Sequence, residues 1–132
     1  MRRAFFLAVA CVGLAGCNAG GSAPSANLPM MNVAFNWCSG SPAFTVGNIP
    51  ATAKTLSFRM IDQQAQSYNH GGGTVPATGK PTQSIPCGAL TGSYNGPSPP
   101  PPQVHDYQWT VTALDAGGQS VAIGRSTRKF PE

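Results

Sequence analysis

Alternation of apolar and polar side chains in two segments constrains the fold of this chain more than any other feature. The pattern occurs in residues 54–61, KTLSFRMI, and in residues 106–114, DYQWTVTAL. Because successive side chains of an extended strand point to opposite faces, each segment predicts a strand with one buried and one exposed face. The apolar positions are Leu56, Phe58 and Met60 in the first segment and Tyr107, Trp109, Val111 and Ala113 in the second.

The rest of the chain predicts further short strands and turns rather than helices. Residues 33–37 and 43–46 are strand candidates, and residues 119–123 and 124–130 complete a C-terminal hairpin after a turn at 115–118. No stretch combines a helical apolar period with helix caps, and only 9% of the residues are charged. The predicted fold class is therefore all-β, an antiparallel sandwich or barrel with little helix.

The N-terminus has the pattern of a secretory signal peptide. Two arginines, Arg2 and Arg3, precede an apolar run over residues 4–14. This run of 11 residues is too short to cross a membrane, because a helix rises about 1.5 Å per residue and the hydrocarbon core is about 30 Å thick. The pattern therefore predicts export of the chain.

The end of this segment, Leu14-Ala15-Gly16-Cys17, resembles a bacterial lipobox. The resemblance implies a lipoprotein signal peptide over residues 1–16 and a lipid anchor on Cys17, whereas an ordinary secretory signal is the alternative. Asn18 follows the cysteine where an aspartate would retain the protein at the inner membrane. The resemblance therefore implies a bacterial cell-envelope protein, anchored in the outer membrane and facing the periplasm.

A short tether separates the predicted anchor from the folded domain. Residues 17–27 begin with the lipid site Cys17 and continue with small and polar residues without apolar periodicity, which is typical of a flexible linker. Residues 28–132 are then sufficient for one small domain. We expect that domain to lie close to a membrane without being embedded in it.

The charge of the chain does not favour a nucleic-acid partner. Its formal net charge is +4, and two of its eight basic residues, Arg2 and Arg3, lie in the predicted signal peptide. The remaining six basic residues oppose four acidic ones, whereas a nucleic-acid surface needs a clustered basic excess. We therefore predict no nucleic-acid binding.

Four cysteines are present, and two of them fall in the predicted domain. Cys11 lies in the signal peptide and Cys17 at the lipid site, which leaves Cys38 and Cys87 in an exported chain, where disulfides persist. A disulfide between them would close a loop of about 50 residues and contribute roughly 4 kcal/mol; two separate buried thiols are the alternative. Without a C-x-x-C pair and with only two histidines, the sequence predicts no metal or cofactor.

Polar residues that a simple core would not require occur at three places. They are Asp62 after the first alternating strand, His70 before Gly71-Gly72-Gly73, and His105 with Tyr107 at the start of the second strand. Because residues i and i+2 of a strand share a face, His105 and Tyr107 project together, in line with Trp109. Such a polar and aromatic end of a core face is a common place for a small-ligand site.

The order and spacing of these residues resemble the phosphatidylethanolamine-binding protein (PEBP) family, in its small bacterial Raf-kinase-inhibitor-like branch. The resemblance covers nearly all of residues 41–115, and its last block is the most specific. The matching segments are 41–50 (SPAFTVGNIP) with Ala53-Lys54, the loop 62–66, His70, 96–100 (GPSPP), 105–107 (HDY) and 110–115 (TVTALD).

The resemblance implies a PEBP-like antiparallel Greek-key β-sandwich with a pocket for phosphate, phosphorylethanolamine or a similar small anion. Imidazole N–H and phenol O–H groups can donate to phosphate oxygens, and a carboxylate can fix a histidine tautomer or accept from an ammonium group. Prolines form a rigid wall without N–H donors. Carried over position by position, the ligand-binding residues are Asp62, His70, Pro99, Pro100, His105 and Tyr107.

Several positions depart from the family pattern. Gln64 stands where the family loop has its second aspartate, Gln63 and Gln66 replace prolines, and Asp106 replaces the arginine of H-R-Y. If positions 64 and 106 pair in the family, the changed charges predict a less constrained pocket rim. Gly71-Gly72-Gly73 stands where a strand usually starts, so we expect that strand to be lost.

Two other interpretations of short motifs are weaker. The H-G-G-G at 70–73 is typical of an esterase oxyanion hole, but the chain lacks a G-x-S-x-G nucleophile turn. The P-x-x-P patterns within 97–102 resemble SH3 ligands but lack flanking basic residues. The sequence therefore predicts a lipid-anchored, non-enzymatic protein that binds a small anionic or phosphorylated ligand; the alternative is an interaction scaffold with a vestigial pocket and an unknown protein partner.

Overall fold

The computed structural model describes residues 27–132. The predicted signal peptide (residues 1–16), the lipid site Cys17 and the tether up to residue 26 lie outside the described residues. Within the part of the chain that is described, no helix has the length and hydropathy needed to span a membrane.

Residues 27–132 fold as an all-β unit without a helix, which confirms the predicted fold class. The alternating segments form strands at the predicted places, with boundaries shifted by one residue. The strands are β1 (Asn32–Asn36), β2 (Ala43–Gly47), β3 (Thr55–Asp62), β4 (Gly72–Pro76), β5 (Gln83–Ile85), β6 (His105–Leu114) and β7 (Ser120–Phe130).

The strands form two antiparallel sheets. One has the order β1-β2-β5, and the other has the order β4-β3-β6-β7. In the larger sheet, β3 and β6 are the two central strands, and their register places Asp62 opposite Tyr107 and Met60 opposite Trp109. The end of β3 and the start of β6 therefore lie side by side, at one end of the two central strands. The Greek-key arrangement of the PEBP family stays a prediction.

The hydrophobic core lies between the two sheets. Phe44 of β2 contacts Phe58 of β3 and Trp109 of β6, with ring centroids 4.6 Å and 5.1 Å apart. In both β3 and β6 the alternate apolar side chains are buried, as the pattern predicts. Each large apolar side chain buried in this way stabilises the fold by about 1.5–3 kcal/mol.

The C-terminal hairpin differs from its predicted form. The two predicted segments form a single strand, β7 (Ser120–Phe130), which pairs with β6 along its length except for a register shift between Ala113 and Leu114. Gly124 does not divide this strand. It leaves room for the backbone of Met31, because a Cβ at position 124 would lie 2.6 Å from the carbonyl oxygen of Met31. The chain segment before β1 crosses β7 at this point, held by the Met31 N–H, which donates to the carbonyl of Ile123 at 2.8 Å.

The expectation that the glycine triplet replaces a strand is wrong, because β4 starts at Gly72. A Cβ on Gly71 would lie 2.0 Å from the carbonyl oxygen of Ser93, and one on Gly72 would lie 1.8 Å from that of Phe58. Glycine is needed here because the backbones of β3 and of residues 91–94 approach β4 from both sides. Because glycines occupy the start of β4, this strand lacks the alternation of apolar and polar side chains that would have predicted it.

Cys38 and Cys87 are joined by a disulfide, with Cα atoms 6.2 Å apart. Cys38 follows β1 and Cys87 follows β5, which are the two outer strands of the smaller sheet. The bond therefore ties together the two edges of that sheet.

Candidate functional site

A cavity of about 190 Å³ lies where β3 ends and β6 begins. All six side chains carried over from the family pattern line this one cavity, although they come from four separate parts of the chain. The lining residues are Asp62, Ala65, Tyr68, His70, Ser98, Pro99, Pro100, His105 and Tyr107.

Asp62 is the last residue of β3, and its carboxylate has two roles. Its Oδ1 accepts the backbone N–H groups of Gln64 at 2.9 Å and Ala65 at 3.1 Å, which closes the turn after the strand. Its Oδ2 lies 2.6 Å from Nδ1 of His105. The residue is only 3% exposed, so the turn cap and the histidine contact together satisfy a buried charge.

Asp62 is ionised at neutral pH. Burial raises the pKa of its carboxyl, but hydrogen bonds from His105, from the Gln64 N–H and from the Tyr107 hydroxyl outweigh burial and hold the pKa below the ordinary value of 3.8. An ionised carboxylate only accepts hydrogen bonds, so Nδ1 of His105 carries the hydrogen and donates it.

His105 is the first residue of β6 and is 8% exposed. Its second ring nitrogen, Nε2, lies 2.7 Å from Oε1 of Gln103. The ring is stacked near that of Tyr107 at a centroid distance of 6.3 Å. Both nitrogens of this histidine therefore have partners within the protein.

His70 is 3% exposed, which excludes a surface-loop histidine. Its Nδ1 donates to the carbonyl oxygen of Asn95 at 2.8 Å, and the Asn95 N–H donates back to the carbonyl of His70 at 2.9 Å. The ring packs between Tyr68 and Tyr107, with centroids 4.6 Å and 5.4 Å away. Within residues 27–132, Nε2 of His70 has no hydrogen-bond partner, and His70 lines the cavity.

Tyr107 lines the cavity and is itself buried. Burial, and then the neighbouring Asp62 carboxylate, raise the pKa of its phenol to about 12. The hydroxyl therefore keeps its proton at physiological pH and remains a donor.

The proline run forms one wall of the cavity through Pro99 and Pro100. The N–H of Gln103 donates to the carbonyl of Pro100 at 2.8 Å and closes a turn over Pro101 and Pro102. This turn returns the chain to the cavity just before His105.

The rim of the cavity is constrained, contrary to the expectation from the altered charges. Gln64 Nε2 donates to Asp106 Oδ2 at 3.2 Å, and the Asp106 N–H donates to Gln64 Oε1 at 2.8 Å. Lys129 Nζ adds a contact to Asp106 Oδ1 at 3.0 Å. Hydrogen bonds from Lys129 and then from Gln64 lower the pKa of Asp106. Positions 64 and 106 thus pair directly in this chain.

The sequence interpretation missed Tyr68 and Gln103. Tyr68 packs on His70, and Gln103 contacts Nε2 of His105. Each residue precedes its histidine by two positions, the spacing that puts side chains on the same side of an extended segment. That spacing was the available signal.

The glycines after His70 serve the sheet. The Gly71 N–H donates to Oδ1 of Asn69 at 3.0 Å, and the Gly72 N–H donates to the carbonyl of Ser93 at 3.0 Å. Their N–H groups therefore already donate to oxygens of the protein.

Among the described residues, no three His, Cys, Asp or Glu side chains cluster as metal ligands would.

The fold and the site define an all-β domain with a buried Asp–His pair and a second histidine around one small cavity. In comparisons with known proteins, no family model, no curated protein and no solved structure matches the chain.

Proposed function

We propose that this chain is a lipid-anchored, non-enzymatic binding protein of the PEBP type, and that its cavity takes a small anion or a phosphorylated head group. The observation that carries the proposal is the convergence of His70, His105 and Tyr107 beside Asp62 in one cavity. Nε2 of His70, when it carries a hydrogen, can donate to a phosphate oxygen. Nε2 of His105 and the Tyr107 hydroxyl can do the same when the ligand replaces their partners in the protein, Gln103 and Asp62.

The charge arrangement supports an anionic ligand in spite of the carboxylate. Asp62 accepts hydrogen bonds on both oxygens, from the loop backbone and from His105. Both oxygens of the carboxylate are therefore occupied by donors of the protein, so Asp62 does not present a free acceptor to the ligand.

The size of the cavity favours a small ligand. Its volume of about 190 Å³ is below the range of roughly 300–1,000 Å³ typical of drug-sized ligands. We therefore expect phosphate or a head group to enter, with any remaining part of the ligand outside.

The anchor on Cys17 belongs to the same proposal, with the outer membrane as its location. A flexible linker of ten residues spans roughly 17 Å root-mean-square, so a tether of the predicted kind would keep the domain near the membrane surface. Cys17→Ser should release the protein from membranes into the soluble fraction. Unchanged membrane fractionation would reject the lipid assignment.

An interaction scaffold is the second candidate function. It is favoured by a second hollow of about 270 Å³ beside the disulfide, which aromatic rings and the start of the proline run line. Its principal lining residues are Trp37, Tyr94, Pro97 and Phe130. A protein partner would use this apolar surface and leave the first cavity empty.

Two measurements on the full chain test the anion proposal. Calorimetric titration with inorganic phosphate and with phosphorylethanolamine should show weak binding that His70→Ala or His105→Ala removes. The chain has only two histidines, so side-chain ¹⁵N spectra report on the site alone, and phosphate should shift the Nε2 signals of both. Sodium chloride at equal ionic strength is the control. If neither phosphate compound binds or shifts these signals, the anion proposal fails and the scaffold leads.

A further inference from the structure

Gln103 is the protein partner of one ring nitrogen of His105, a residue that lines the cavity. Its side-chain amide lies 2.7 Å from Nε2 of His105, the only ring nitrogen of that histidine that Asp62 does not hold. The residue itself is exposed, whereas His105 is buried. A solvent-exposed side chain thus covers the nitrogen through which His105 would contact an anion.

The amide of Gln103 can serve both charge states of His105. Asp62 keeps the hydrogen on Nδ1, so protonation of the ring occurs at Nε2. With Oε1 towards the ring, Gln103 accepts from Nε2–H of the cation; turned over, its NH₂ group donates to the lone pair of the neutral ring. The ionised oxygens of an anion are acceptors, so they replace the amide when Nε2 carries a hydrogen.

The backbone around Gln103 allows the side chain to leave without disturbing the cavity wall. Its N–H is fixed to the carbonyl of Pro100 at 2.8 Å, so the turn that follows Pro99 and Pro100 is held independently of the amide. In residues 27–132 the only side-chain hydrogen bond of Gln103 is the one to His105. Rotation of this side chain therefore breaks one contact.

We propose that Gln103 is an intrachain competitor for the ligand: a bound anion takes the place of the Gln103 amide at Nε2 of His105. This inference rests on the proposed function, because it assumes that the cavity binds an anion. Because of this competition, only an anion that accepts hydrogen bonds more strongly than the Gln103 amide can bind at His105. A strongly accepting, doubly charged phosphate displaces the amide, whereas a weak acceptor such as chloride does not.

The experiment compares inorganic phosphate binding by the full-length wild type, Gln103→Ala, Gln103→Glu and the control Gln119→Ala. Gln119 is an exposed glutamine just before β7, at the opposite end of β6 from the cavity. Gln103→Ala should tighten binding by about 2- to 10-fold, since one competing hydrogen bond is removed. Gln103→Glu should weaken binding about tenfold or more, because the carboxylate holds the protonated ring and repels the ligand. Gln119→Ala should match the wild type.

Histidine ¹⁵N spectra of the ligand-free proteins test the contact between Gln103 and His105 independently of ligand binding. Gln103→Ala should shift Nε2 of His105 and leave the signals of His70 in place, and Gln119→Ala should shift neither. An unmoved His105 signal in Gln103→Ala would show that the contact is absent and would overturn the inference.

The binding results separate this inference from the proposed function. If the wild type binds phosphate and Gln103→Ala binds equally or more weakly, Gln103 is not a competitor and the anion site stands. If Gln103→Ala binds phosphate and the wild type does not, the competing role of Gln103 is supported, while the proposed function of the wild-type cavity fails. If neither protein binds phosphate, the proposed function fails, and the role of Gln103 fails with it.

Discussion

Replacing His70 with two different amides separates its structural role from its binding role. Nδ1 of His70 anchors the ring to the carbonyl of Asn95, while Nε2 has no partner among the described residues. In His70→Asn the amide nitrogen can take the position of Nδ1, and in His70→Gln it can take the position of Nε2. The first variant keeps the anchor and loses the ligand contact, and the second does the reverse.

The expected magnitudes follow from these two contacts. A hydrogen bond from a charged group contributes about 1.5–3 kcal/mol, so His70→Asn should weaken phosphate binding by about 10- to 150-fold. His70→Gln leaves the carbonyl of Asn95 without its donor, which should lower the free energy of unfolding by about 1–3 kcal/mol relative to His70→Asn. Both variants lose the ring contacts with Tyr68 and Tyr107 equally, so that loss cancels in the comparison.

Phosphate titration measures the binding effect, and urea unfolding measures the stability effect. Wild-type affinity in His70→Asn would refute the assignment of Nε2 as a ligand contact. Equal unfolding free energies for the two variants would refute the anchoring role of Nδ1.

Three further predictions concern stability. Cys38→Ser with Cys87→Ser should lower the free energy of unfolding by about 4 kcal/mol, because the disulfide closes a loop with a sequence separation of 49; two free thiols in a non-reducing mass measurement of the wild type would contradict this. Because the folded pKa of Asp62 lies below 3.8, its contribution is complete above that pH and is lost as the pH falls through the folded pKa, so acid unfolding of Asp62→Asn should show a shallower dependence on pH below about 4. Gly71→Ala should lower the melting temperature more than Gly79→Ala, since both glycines have positive φ (+70° and +80°) but only Gly71 lies against a backbone carbonyl; equal losses would show that the backbone angle alone matters.

The central strands were predictable because each has one face on the core and one on solvent. β3 and β6 lie in the middle of the larger sheet, and in both strands every second side chain is buried without interruption. The same alternation leads to Asp62 and His105, where polar residues continue the buried face. The convergence of these two residues depends on the register that puts Asp62 opposite Tyr107, which the sequence pattern does not specify.

Two of the missed features depend on neighbours that are distant in the chain. β4 lacks apolar alternation because glycines admit the backbone of residues 91–94. Gly124 resembles a break in a strand because the segment before β1 crosses it. For these glycines a contact between separate segments decides what the residue does, and local periodicity carries no record of it. Gln103 differs, because its partner His105 is only two positions away and that spacing was the signal that could have found it.

The two histidines are held in the same way at Nδ1 but differ in the contacts of Nε2. Each donates Nδ1–H to an oxygen of another segment, the Asp62 carboxylate for His105 and the Asn95 carbonyl for His70. A second hydrogen on either ring would therefore be carried by Nε2, the nitrogen that would donate to an anion if the proposed function is right. Nε2 of His105 is covered by Gln103, whereas Nε2 of His70 has no such partner among the described residues. An anion would accordingly contact His70 first and reach His105 only by displacing the glutamine.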